Sequence, residues 1–137
     1  MSSGSNSNPL TILYDTIRWE EKSLIEAAKK KGVETENIDI RNLTIRLDDG
    51  WRYAGRVVLQ RSVSYFKSLH ATAALEGLGA SVINPLRVAS ITGNKMFAHM
   101  EFQKAGVNTP KAIAAFSEES AAAALEEFGY PAVIKPT

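Results

Sequence analysis

The chain has 137 residues, 45% of them apolar and 23% charged, and its 16 basic and 15 acidic side chains leave a formal net charge of +1. That length fits one domain able to bury about two thirds of its unfolded surface, and this composition excludes global disorder. Near-neutrality gives no support to a nucleic-acid partner. The lack of cysteine excludes disulfides and thiolate metal sites, and no apolar run suggests a membrane span or signal peptide, so a cytoplasmic protein is expected.

The first nine residues are polar and read as a disordered leader. Leu10-Thr11-Ile12-Leu13-Tyr14 is a short β-rich run closed by Asp15. From Trp19 to Lys31 the spacing predicts a helix, with Leu24, Ile25, Ala27 and Ala28 on one side. Glu20 and Glu21 near its start, lysines near its end and Gly32 beyond it complement the helix dipole and supply a cap. Thr35 to Ile40 reads as a second strand. Leu43 to Tyr53, with Asp48-Asp49-Gly50 at its centre, reads as a hairpin or an ordered loop. Val57-Val58-Leu59 is a third strand that runs into Gln60-Arg61-Ser62-Val63-Ser64. A helix is predicted over 65–78, with Phe66, Leu69 and Ala73 at helical spacing, then a short strand at Val82-Ile83 ending in Asn84-Pro85.

A helical turn through Val88 to Ile91 leads to Asn94, which can cap a helix running to Ala105. Its Met96, Phe97 and Met100 read as core. Ala112 to Phe116 is predicted as a strand, Ser117 as an N-cap, and 118–128 as a helix with Ala121, Leu125 and Phe128 inward. Ala132-Val133-Ile134 begins a further strand. Strands alternating with helices imply crossover connections and an α/β fold with a mostly parallel sheet.

Open parallel sheets place ligands beyond the carboxyl ends of their strands. The polar residues there are Asp15, Arg61, Ser62, Ser64 and Asn84. Arg61 with the two serines offers a cation and hydroxyls leading into a helix N-terminus, which suits a carboxylate or phosphate through charge and backbone N–H groups. The plainer reading is that a serine caps the helix and Arg61 is solvated, with Asp15 and Asn84 as turn residues. Lys95 sits in the first turn of a helix, where the dipole disfavours a cation. Lys135 closes an apolar strand whose neighbours point to burial, so its charge needs a partner. An anionic ligand accounts for both lysines, and ordinary surface lysines would also fit. His70 and His99 read as packing or surface residues. No nucleotide-binding glycine loop of the common kinds is present.

Taken in order, Arg61-Ser62-Val63-Ser64, Val82-Ile83-Asn84-Pro85, Gly93-Asn94-Lys95, Gly106-Val107-Asn108-Thr109-Pro110-Lys111 and Gly129-Tyr130-Pro131-Ala132-Val133-Ile134-Lys135-Pro136 resemble the N-terminal half of the ATP-grasp carboxylate–amine ligases. Within these, Leu13-Tyr14-Asp15 and Gln60 to Ser64 are most similar to the LysX-type enzymes of lysine biosynthesis. The resemblance implies a leader over 1–9, a parallel-sheet pre-ATP-grasp domain over 10–91, a connector helix over 92–106 and the truncated start of an ATP-grasp domain over 107–137. It implies ATP-phosphate contacts for Lys95 and Lys135, and substrate contacts for Arg61, Ser62, Ser64 and Asn84. It also implies ATP and magnesium as cofactors, with the metal ligands expected beyond Thr137.

The implied reaction activates a carboxylate as an acyl phosphate and joins it to an amine. The implied partners are an amino acid (α-aminoadipate or glutamate), a small acidic carrier protein and further copies of the full-length chain. The 137 residues alone are expected neither to ligate nor to bind ATP tightly. A RimK-type glutamate ligase and a self-sufficient α/β binding module are the alternatives.

Overall fold

The computed structural model describes residues 8–135. The leader read over 1–9 lies outside the described residues up to residue 7, as do the last two residues of the segment 107–137. The chain divides into two compact units, residues 1–90 and 91–137.

The first unit is built on four parallel strands, β1 (Leu10–Tyr14), β2 (Thr35–Asp39), β3 (Val57–Gln60) and β4 (Ser81–Ile83), in the order β2-β1-β3-β4. Register is fixed by pairs such as Ile12 with Asn37, Ile12 with Leu59, and Val58 with Val82. Helices α1 (Trp19–Lys30) and α2 (Tyr65–Gly77) make the crossovers that parallel pairing requires. The centre of the core is Ile12, Leu13 and Val58 on the two middle strands, with Ala71, Leu75, Leu78, Ala80 and Val82 around them. Central parallel strands have both faces covered, which is why β1 carries consecutive buried apolar residues rather than an alternating pattern.

Two helix faces differ from the periodic reading. On α2 the buried stripe is Ala71, Thr72 and Leu75, while Phe66 is 72% exposed and Ala73 is also exposed. The sheet accepts small side chains at close range, so the helix turns its alanines inward and leaves its phenylalanine outside. On α1 the buried residues are Ala28 and, unexpectedly, Glu21. Residues 43–53 form an ordered loop rather than a hairpin, following a 3₁₀ turn at Ile40–Asn42. The loop folds back so that Tyr53 N–H donates to the Leu78 carbonyl at 3.0 Å. Gly79 lies under Trp51, and an added Cβ would come within 2.4 Å of that ring.

Helix α3 (Leu86–Thr92) begins in the first unit, where Leu86 N–H donates to Glu76 Oε1 at 3.0 Å. The second unit contains helices α4 (Lys95–Lys104) and α5 (Glu118–Phe128), each with a side-chain cap. Asn94 Oδ1 accepts from Met96 and Phe97 N–H, and Ser117 Oγ accepts from Ser120 N–H.

The strands expected at 112–116 and 132–134 do not form. A strand completes its hydrogen bonds only on a neighbouring strand, and among the described residues of this unit there is none. Their apolar side chains stay outside, with Phe116 90% and Val133 81% exposed. Met96, Phe97 and Met100 do not form a buried core either: Phe97 and Met100 are each about half exposed.

Candidate functional site

Strand β1 sends its connections to one side of the sheet, through α1 to β2, and β3 sends its own to the other side, through α2 to β4. The carboxyl ends of β1 and β3 are therefore where the strand order reverses, the position at which open α/β sheets bind ligands. Asp15 follows β1 there, and Arg61-Ser62-Val63-Ser64 follows β3.

The loop 61–64 is held through every one of its backbone N–H groups. Arg61 N–H donates to the Leu13 carbonyl at 2.7 Å, and Ser62 N–H donates to Gln60 Oε1 at 2.8 Å. Val63 and Ser64 N–H donate to the two oxygens of Asp15, both at 2.9 Å. Burial pushes the Asp15 carboxyl up, but these two donors outweigh it and hold the group below the usual aspartate range. Asp15 thus caps the approach to α2 from across the sheet, a job the periodic reading assigns to a serine. Ser64 occupies the N-cap position without a side-chain cap bond. The N–H groups of Val63 and Ser64, which the helix-start reading offered to an anion, are already taken. Recognition in this loop is left to its side chains.

The Arg61 guanidinium is not simply solvated. Its Nε donates to Glu21 Oε1 at 3.1 Å, and its Nη2 lies 3.1 Å from the same oxygen. Glu21 is fully buried. Arg18 reaches it as well: Arg18 N–H donates to Oε2 at 3.0 Å, Nε to Oε2 at 3.2 Å and Nη2 to Oε1 at 3.1 Å. The Arg18 side chain, working against the cost of burial and helped by the Arg18 backbone N–H and Arg61, holds the Glu21 carboxyl at about 2. Beside this cluster the Ser62 hydroxyl oxygen is buried without a hydrogen-bond partner.

The sequence reading missed Glu21 as a site residue, because an acidic residue in a first helical turn already satisfies the dipole. The available signal was local: Arg18 and Glu21 stand three apart at the entry to α1. The 40-residue link to Arg61 has no sequence signature.

The other candidates lie elsewhere. Asn84 is exposed at the end of β4, after a cis Ile83–Asn84 peptide. Lys95 and Lys135 belong to the second unit, and both are exposed. Lys135 does not close a strand, and Ile134 beside it is 77% exposed, so the burial expected around it is absent. His70 is on the surface and its Nδ1 lies 2.7 Å from the Phe66 carbonyl. His99 is half-buried. Among the described residues no group of three His, Asp or Glu side chains could hold a metal ion. Two exposed lysines likewise do not amount to a nucleotide site, so no step through ATP or magnesium is drawn from these residues. Among the described residues no helix is long and apolar enough to cross a membrane.

Comparison with known proteins places the fold in a family. Residues 10–91 match the LysX preATP-grasp domain family. The chain is 32% identical over 123 residues to the alpha-aminoadipate--LysW ligase LysX of Sulfolobus acidocaldarius, covering 88% of this chain and 45% of that protein. It is 33% identical over 130 residues to LysX of Sulfurisphaera tokodaii, covering 93% and 46%. To the glutamate--LysW ligase ArgX of Sulfurisphaera tokodaii it is 29% identical, covering 93% and 45%. The chain thus spans a little under half the length of these curated relatives. Among solved structures, a RimK domain ATP-grasp protein from Sphaerobacter thermophilus superposes with a TM-score of 0.70 at 24% identity, covering 90% of this chain and 47% of the other. That likeness shows the fold. With the four-stranded parallel sheet and the family match covering the same residues, the chain belongs to the LysX pre-ATP-grasp domain family.

Proposed function

We propose that this chain is the N-terminal portion of an ATP-dependent carboxylate–amine ligase that works on an amino-group carrier protein in lysine or arginine biosynthesis. Residues 10–91 serve as its pre-ATP-grasp domain, 92–106 as a connector, and 107–137 as the start of the ATP-grasp region. The observation that carries this reading is the similarity, over roughly nine tenths of the chain, to relatives named as LysW ligases. One substrate is an acidic amino acid, α-aminoadipate as in the relatives named LysX or glutamate as in those named ArgX. The other is a LysW-type carrier. The whole protein acts in the cytoplasm as a homo-oligomer.

In the whole protein, ATP would supply the phosphoryl group that activates the carboxylate, with ADP leaving, and the amine would then displace phosphate and lose a proton to form the amide. Such chemistry needs ATP and magnesium, which neutralises developing phosphate charge. The described residues do not supply the carboxylates for that metal. Lys95 and Lys135 are the cations this chain would contribute toward the phosphates. At the mouth of the sheet, Arg61 with Ser62 and Ser64 would face a substrate carboxylate, which a guanidinium recognises by paired N–H donors, and Asn84, after β4, would add a separate substrate contact.

A chimera tests the reading. Residues 10–135 would replace the matching N-terminal portion of LysX from Sulfurisphaera tokodaii, and ADP release would be followed with its LysW carrier. Release that depends on the carrier and on α-aminoadipate or glutamate is expected. A folded chimera that still binds ATP yet releases no ADP with either amino acid overturns it.

A further inference from the structure

The Arg18–Glu21–Arg61 cluster asks for an explanation beyond stability. A buried carboxylate costs desolvation, and buried ion pairs as a class add little over well-packed apolar residues. Arg18 alone already supplies Glu21 with three hydrogen bonds, engaging both carboxylate oxygens. Arg61 is thus not needed to neutralise Glu21, whereas Glu21 is what fixes Arg61.

The two arginines also differ in what they have left to give. Arg18 serves two carboxylates, since Glu20 Oε2 lies 3.7 Å from its Nε. Arg61 serves one oxygen of one carboxylate, and its Nη1 has no partner among the described residues. Its side chain is one third exposed while Glu21 is not exposed at all. Asp15, the other acid at this mouth, is engaged by the backbone of Val63 and Ser64. Next to Arg61 in the chain, the buried Ser62 hydroxyl oxygen lacks any partner, and a buried polar atom of that kind calls for a ligand or water.

We propose that Glu21 is a positioning residue for carboxylate recognition: it holds the Arg61 guanidinium at the carboxyl end of β3 so that Nη1, together with the Ser62 hydroxyl, receives the carboxylate of an acidic amino acid. The assignment rests on the ligase reading for the identity of that ligand. The arginine and the loop backbone, whose four N–H groups are all bonded, are ordered in advance, and only the buried Ser62 side chain has to move to meet the ligand, so most of the entropic cost of organising the site is met in folding.

The test uses this chain with glutamate as the probe, following arginine Nε signals by ¹⁵N NMR. In the wild type the Arg61 signal is expected to shift saturably. In Glu21→Gln the dissociation constant is expected to rise on the order of tenfold or more, with amide shifts confined to the surroundings of Arg18, Glu21 and Arg61. If that variant fails to fold, Glu21→Gln combined with Arg18→Met keeps the charge balance and should show the same loss. Arg18→Met alone leaves the Glu21–Arg61 contact and should weaken binding far less. A folded Glu21→Gln, or the double variant, that binds glutamate as the wild type does overturns the inference, even if its melting temperature falls. So does a wild-type Arg61 signal that ignores glutamate. Neither result touches the ligase reading, which the chimera's ADP release decides separately.

Discussion

The two units of the chain were built from the same kinds of sequence signal, yet they hold together differently. Every buried residue among those described falls between Thr11 and Val82, and the second unit has none. Even so, α4 and α5 form as well as α1 and α2 do. An α-helix closes its own hydrogen bonds and needs only its ends satisfied, and Asn94 and Ser117 do that. A strand has no such independence. Val57–Gln60 becomes β3 because β1 and β4 flank it, whereas Ala112–Phe116, of similar apolar character, has no strand beside it and stays irregular. Local sequence carries a helix further than it carries a strand.

The sharpest way to break this contrast is to cut apolar volume on each side of it. Leu13 is 1% exposed on a central strand, and Leu13→Ala should cost the first unit about 3 kcal/mol through lost transfer energy and a residual cavity. Phe116→Ala, at a position 90% exposed, should stay within about 0.5 kcal/mol. Denaturant melts monitored by circular dichroism would check both. A Phe116→Ala loss comparable to that of Leu13→Ala would show that the second unit has a packed core after all.

Polar burial sets the units apart too. Removing one partner of the buried Glu21 cluster leaves uncompensated cations, so Glu21→Gln should destabilise the first unit by about 3 kcal/mol at neutral pH. Acid should reach the same interaction. The folded value, about 2, lies below the ordinary 4.5. The stabilisation is therefore complete above about pH 4.5 and is lost as pH falls from there through 2. Asp15, held low by Val63 and Ser64, acts in the same direction. Melting temperature measured against pH should fall across that window in the wild type, with a shallower fall in Glu21→Gln. Equal slopes in the two proteins would mean that Glu21 is not held low in the fold.

How much of this was legible in the sequence follows from range. The four strands of the sheet and both crossover helices were readable, because their apolar runs and caps are local. The mouth of the sheet was readable in part: Arg61, Ser62 and Ser64 stood out as polar residues after a strand. Their partners did not, since the bonds from Val63 and Ser64 to Asp15 span 48 and 49 positions. The buried face of α2 is not legible in this way, because periodicity places a stripe without saying which of two neighbouring stripes meets a close-packed sheet. Lys135 stays exposed for the same reason that 132–134 form no strand: the apolar run finds no partner strand among the described residues.

Backbone geometry gives a smaller, more local test of the first unit. Gly79 has φ +91, and a Cβ there would sit 2.4 Å from Trp51 Cε3 and 3.2 Å from the Ala54 backbone. Gly79→Ala should cost about 1–2 kcal/mol from the left-handed conformation alone, with displacement of the Trp51 ring in addition. The Trp51 indole Nε1–H signal in an NMR spectrum would report that displacement. A Gly79→Ala variant with unchanged stability and an unchanged Trp51 signal would mean that the 51–54 loop is not seated on Gly79. The same substitution at Gly77, which has open space around its Cβ position and lies in a helix, should stabilise slightly.

The smallest effect belongs to the second unit and asks whether its helices depend on their ends. Asn94 Oδ1 accepts from two backbone N–H groups, at 3.0 and 3.1 Å. An N-cap deletion of this kind costs about 1 kcal/mol. In the first unit that loss would be diluted by tertiary packing, since most helical stability in proteins comes from a buried face. In α4 no residue is buried, so the cap carries a larger share. Asn94→Ala should raise amide hydrogen exchange through the first turns of α4 by about fivefold, the factor equivalent to 1 kcal/mol. Asn94→Asp should restore protection, because the carboxylate accepts the same bonds and favours the positive end of the helix dipole. Exchange rates that are the same in Asn94→Ala and wild type would place the stability of α4 in packing, and the contrast between the two units would then rest on the strands alone.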